Sequence, residues 1–161
     1  MRTDCIIWKI CYNRGEVSRG GEAVLPEFPP MAEEDARRMN ALRLAYIGDT
    51  VWDLLVRTTL VFAGKNLHHM HVEATSQVNA GAQSAALHRM EDRLTEQERD
   101  VVMRGRNAHA KHPTPKNQSP ADYQAATGLE ALIGYLYLTE QTPRLLELFH
   151  ACMEQDRKAL E

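Results

Sequence analysis

Two apolar stretches, each broken by a single acid beside glycine, constrain this chain more than any other feature. Leu44-Ala45-Tyr46-Ile47-Gly48-Asp49-Thr50-Val51 places Asp49 in the first. Ala126-Thr127-Gly128-Leu129-Glu130-Ala131-Leu132-Ile133-Gly134-Tyr135-Leu136 places Glu130 in the second. Both read as helices. Ile47, Val51, Leu54 and Leu55 make an apolar stripe within a helical pattern over about 36–63, which Gly64 stops. A second helical stretch covers about 70–91 and is rich in small residues: Ala80, Gly81, Ala82, Ala85 and Ala86. A third starts at Thr95, where Thr95-Glu96-Gln97-Glu98 has capping-box form, and breaks near Gly105. The prolines at 113, 115 and 120 make 105–121 a loop. Further helices are expected over about 122–139 and 143–158, the last opened by Pro143. No β-branched run alternates with period two, so the expected class is all-α, with five to seven helices.

The length of 161 residues fits one domain that needs no disulfides to fold. Residues 1–30 stand apart, with Arg14-Gly15, Arg19-Gly20-Gly21 and Pro29-Pro30 and no sustained helical period. They read as a loosely ordered extension, or as a misassigned start, since Met31 or Met39 would each begin a complete domain. Cys5, Cys11 and Cys152 make no CxxC pair and no zinc spacing, which suits a reducing cytoplasm. No apolar run approaches the ~20 residues of a membrane span.

An acid inside an apolar helix is costly to bury without a partner. Asp49 alone reads equally well as a solvent-facing acid, and Glu130 as the partner of an arginine such as Arg43 or Arg57. Taken together, two carboxylates on neighbouring helices can hold Mg2+, which takes one or two carboxylates and keeps several waters. Such an ion activates water and stabilises charge on a phosphate. Asp53, one turn beyond Asp49, is placed to orient a water in the second shell. The net charge is −3, so any nucleic-acid contact has to be local. From Val101 to Ala121 there is no acid, while Arg104, Arg106, Lys111 and Lys116 crowd together with His109 and His112. That asymmetry suits a polyanion, although a solvated basic loop would look the same. His68-His69-Met70-His71 has no Cys and no second histidine pair at ligand spacing, and reads as surface helix rather than a zinc site.

Four ordered phrases resemble the ribonuclease III family, and its Mini-III branch most closely. They are Leu-Ala-Tyr-Ile-Gly-Asp at 44–49, Arg-Gly-Arg-Asn-Ala at 104–108, Thr-Pro-Lys-Asn at 114–117 and Glu-Ala-Leu-Ile-Gly-Tyr-Leu at 130–136. The resemblance covers about 36–155. It implies an all-α ribonuclease III domain acting as a homodimer on double-stranded RNA with Mg2+, in the cytoplasm and without a separate double-stranded-RNA-binding domain. It further implies maturation of the large-subunit (23S) ribosomal RNA precursor, with a ribosomal protein as a further partner. Asp49 and Glu130 would be the catalytic metal ligands. Arg104, Arg106, Asn107, Lys111, Thr114, Lys116 and Asn117 would contact RNA. Full-length members place four acids around the metal. Ala45 and Thr127 stand at two of those positions here, as in the Mini-III branch. The alternatives are a domain of this kind that scaffolds ribosomal RNA without cutting it, and a plain helical interaction protein with its acids in salt bridges.

Overall fold

In the computed structural model, residues 29–108 and 119–158 are described, with side chains through Met153. The extension expected over 1–30 lies almost wholly outside them, as do Lys111, Thr114, Lys116 and Asn117. The described residues form an all-α domain: α1 (Glu33–Arg38), α2 (Ala41–Phe62), α3 (Leu67–Val78), α4 (Ala80–Met90), a 3-10 turn (Glu91–Arg93), α5 (Glu96–Asn107), α6 (Pro120–Leu138) and α7 (Thr142–Lys158). No strand occurs among them.

Polar caps set the boundaries. Asn40 accepts from Leu42 N at 2.8 Å, Asn66 from His69 N at 3.0 Å and Asn79 from Ala82 N at 3.0 Å. Each satisfies an amide that the new helix leaves without a partner. The continuous helices expected over 36–63 and 70–91 are therefore divided, the first at Met39-Asn40 and the second at Asn79. The capping box at Thr95 forms as expected, with Glu98 Oε2 accepting from Thr95 N at 2.7 Å. Gly64 adopts φ +69° just beyond α2, the left-handed geometry that ends helices. Gly105 does not break α5, which runs on to Asn107. The glycine is instead buried at a helix crossing. Pro120 sits in the first turn of α6, where its missing N–H costs nothing.

α6 is the axle of the fold. Every residue from Ala125 to Leu136 is buried except Glu130, which is half-buried. A helix that is apolar on all sides must be surrounded, and α1, α2, α4, α5 and α7 all pack on it. Two pairs of glycines allow the closest crossings. A Cβ on Gly48 would lie 1.8 Å from Glu130 O, and one on Gly134 would lie 2.0 Å from Leu44 O, so α2 and α6 touch backbone to backbone. On another side of α6, a Cβ on Gly105 would lie 2.7 Å from Thr127 O, and one on Gly128 would lie 2.8 Å from Arg106 Cγ. Trp52 of α2 meets Phe149 of α7 edge to face, with centroids 5.3 Å apart, and donates its Nε1–H to Gln77 O at 3.3 Å.

Glu98 joins α5 to α7. It accepts from Arg144 Nε at 2.8 Å and Nη2 at 2.9 Å, while Nη2 also donates to Arg93 O at 2.6 Å. Burial pushes the Glu98 carboxyl up, but the Arg144 guanidinium and the Thr95 amide outweigh it and hold the group below the usual range.

Candidate active site

Asp49 leaves α2 immediately after Gly48, and Glu130 leaves α6 at the carbonyl that Gly48 touches. The glycine crossing thus sets the two carboxylates beside each other. Asp49 is exposed, whereas Glu130 is half-buried. Burial, and next the negative charge of Asp49, push the Glu130 carboxyl up to about 8, against a hydrogen bond from Gln83 that favours its charged form. A raised carboxyl beside a second carboxylate marks a place where negative charge is concentrated and not neutralised by the protein.

The arginine partners considered for Glu130 are engaged elsewhere or absent. Arg57 Nε donates to Asp53 Oδ2 at 2.7 Å, and no ion pair among the described residues includes Arg43, Asp49 or Glu130. Asp53 is therefore tied along its own helix through Oδ2, while its buried Oδ1 has no partner. Ala45 is 5% exposed and packs in the core. Thr127 is buried too, and its hydroxyl donates to Tyr123 O at 3.0 Å within α6. Neither supplies a charged group. Among the described residues, no cluster of three or more His, Cys, Asp or Glu side chains forms a metal-holding group.

Gln83 completes the local geometry. It lies in the first turns of α4 and is 2% exposed, and its Nε2 donates to Asp49 Oδ1 at 3.4 Å. Nothing in the sequence pattern singled it out, because a glutamine among alanines is ordinary in a helix. Its burial follows from the packing of α4 on α6, a tertiary contact with no local signature.

The basic segment divides in two. Arg104 donates Nη1 to Arg37 O and Nη2 to Met39 O, closing the C-terminal end of α1. Arg106 lays its stem against Gly128 and has only a weak, half-exposed contact with Glu91 Oε1 at 3.5 Å. Asn107, the last residue of α5, is exposed. No helix among the described residues is long and apolar enough to cross a membrane.

One apolar face stays uncovered. Tyr46 is 83% exposed, Leu54 56% and Val61 61%, and all lie along one side of α2. Phe62 at the end of α2 and Leu67 and Val72 of α3 are exposed as well.

The family description "Ribonuclease III domain" matches residues 42–141. The Mini-ribonuclease 3 of Symbiobacterium thermophilum is 47% identical over 114 residues, covering 70% of this chain and 87% of that protein. The Mini-ribonuclease 3 of Enterococcus faecalis is 40% identical over 124 residues, covering 75% of this chain and 93% of that one. Among solved structures, the X-ray structure of a Fusobacterium nucleatum protein superposes with a TM-score of 0.68 at 26% identity, covering 76% of this chain and 98% of that one.

Proposed function

From the premise that the chain belongs to the ribonuclease III family, in its Mini-ribonuclease 3 branch, we propose that it is a Mg2+-dependent endoribonuclease for double-stranded RNA with its active site at Asp49 and Glu130. An endoribonuclease of the ribonuclease III type is what the family carries. The observation that supports the site is the Asp49–Glu130 pair, joined at a backbone crossing and left without a cationic side-chain partner. Hard carboxylate oxygens suit Mg2+, and a divalent ion is the counter-charge that a raised carboxyl beside a carboxylate lacks. When bound, the ion supplies Lewis-acid stabilisation of the phosphate and lowers the pKa of the attacking water.

The remaining chemistry belongs to the chain. Asp49, being exposed, faces incoming RNA, while Glu130 anchors the buried side of the pair. The raised Glu130 carboxyl is mostly protonated at neutral pH without a counter-charge, and an opposite charge at the site favours its carboxylate. Arg106 and Asn107, with Lys111, Thr114, Lys116 and Asn117 beyond them in sequence, contact backbone phosphates and 2′-hydroxyls. Arg104 keeps guanidinium donors beyond the two spent on α1. Asp53, fixed by Arg57, orients a water. Residues 36–155 form the catalytic domain. A second copy covers the exposed face of α2 and α3, setting one site on each strand of a duplex. The substrate is the large-subunit ribosomal RNA precursor, met in the cytoplasm with a ribosomal protein as cofactor.

Purified protein, incubated with a structured ribosomal RNA precursor with and without Mg2+, tests this by the mapped ends. Asp49→Asn and Glu130→Gln are each expected to lower the cleavage rate roughly 100- to 1,000-fold, the scale of one charge-stabilising group. RNA retention on a filter should be unchanged. Full activity in either variant would remove that residue from the site.

A further inference from the structure

We propose that Gln83 is a positioning residue whose buried amide ties the Asp49 and Glu130 carboxylates together and presets them for a divalent cation. This rests on the metal-site reading above.

A long polar side chain at 2% exposure needs a reason, since an amide buried without a hydrogen bond is destabilising. Gln83 stands among small residues, Ala80-Gly81-Ala82 before it and Ser84-Ala85-Ala86 after. Its Nε2 donates to Asp49 Oδ1 at 3.4 Å, and the same amide stands close enough to Glu130 to favour that group's charged form. A primary amide carries two N–H donors, so one group serves acceptors on two different helices. Three elements therefore converge around this amide: α4 supplies it, α2 brings Asp49 and α6 brings Glu130.

The effect of that nitrogen follows from simple electrostatics. Two carboxylates at close range repel, and without a donor between them they turn apart. The glycine crossing fixes where the two backbones meet but not where the side chains point. Asp49, being exposed, is free to swing into water unless something holds it. The Gln83 amide supplies partial positive charge at the shared edge without occupying the outward-facing lone pairs. The pair thus enters the metal-bound state with less rearrangement, as hydrogen-bonded groups behind metal ligands commonly provide.

The test uses the full chain without RNA and Mn2+ as the probe ion, with the free ion followed by electron paramagnetic resonance. Gln83→Met keeps the side-chain length and removes the donors. It is expected to weaken Mn2+ affinity at least about tenfold. Its melting temperature should equal or exceed that of the parent, and excess Mn2+ should restore duplex-RNA cleavage. A purely packing role would leave affinity unchanged, and a collapsed site would not recover with excess ion. If Gln83→Met does not fold, Gln83→Asn keeps the amide one methylene shorter, out of reach of at least one carboxylate, and should show the same loss. Asp49→Asn runs in parallel. Parental affinity in Gln83→Met with lost affinity in Asp49→Asn overturns the role of Gln83 alone. Parental affinity in Asp49→Asn overturns the metal site itself, and the positioning role with it.

Discussion

Glu130 holds its proton far more tightly in the folded chain than a free carboxyl does. Burial and the neighbouring Asp49 push it up to about 8, from an ordinary value of 4.5. The folded state therefore binds the proton where the unfolded state has released it. Metal-free stability falls as pH rises from the ordinary carboxylate range through about 8. A divalent ion held by the proposed Asp49–Glu130 pair would compete with that proton, so its affinity is expected to climb over the same window and level above it. Calorimetric melting of the metal-free protein should show the decline. Glu130→Gln should flatten it, and Mg2+ should oppose it. A melting temperature that rises from about pH 6 to about pH 8 in the metal-free parent would contradict the raised carboxyl. Asp49 and Glu130 were visible in the sequence because acids interrupt apolar helices only for a reason. Gln83 was invisible, because a glutamine does not reveal whether its helix face is buried. Arg104 read as a phosphate contact by charge alone, since the α1 carbonyls it closes are brought to it only by tertiary packing.

At the scale of elements, the informative residues are small ones. The glycines at 48 and 134 stood out in sequence only as neighbours of the two acids, and their mutual arrangement was not legible. Each lies against a carbonyl of the other helix, so the α2–α6 distance is set by backbone contact and not by side-chain fit. Gly48→Ala would put a methyl carbon 1.8 Å from Glu130 O, and a carbonyl within a helix has no rotamer by which to withdraw. The helices must separate, which is expected to cost roughly 1–3 kcal/mol. The Asp49–Glu130 spacing should widen with them. Urea denaturation should show the midpoint fall, and Mn2+ titration should show weakened binding even where the variant is folded. Unchanged stability would mean that the crossing is looser than it stands. Two long helical periods proved to be four helices because Asn40 and Asn79 cap as well as they propagate poorly. Periodicity does not register such a break, since the apolar phase persists across it. Gly105 was misread in the opposite sense: a residue that permits a break here permits contact with α6.

Among the described residues, one helix is enclosed by the others and one apolar face is exposed. The all-α class and the extreme apolarity of α6 were readable from composition and pattern. The exposed face was not, because apolar periodicity alone does not say whether a side chain faces a core or solvent. Tyr46, Leu54 and Val61 interrupt the polar surface in line along α2, a patch suited to self-association. Sedimentation of the full chain is expected to give a two-chain mass. Leu54→Glu should give a one-chain mass with helicity unchanged, and a persistent two-chain mass would place the interface elsewhere. The position of the central helix has one more consequence. α6 comes late in the chain, and Glu130 is translated after Asp49 by the whole interval from 49 to 130. At ordinary elongation rates that is a delay of roughly 4–16 s. Through that interval the faces of α2, α4 and α5 that will enclose α6 have nothing to enclose. The nascent chain is then most exposed to chaperones and proteases, and most open to wrong pairing with another copy.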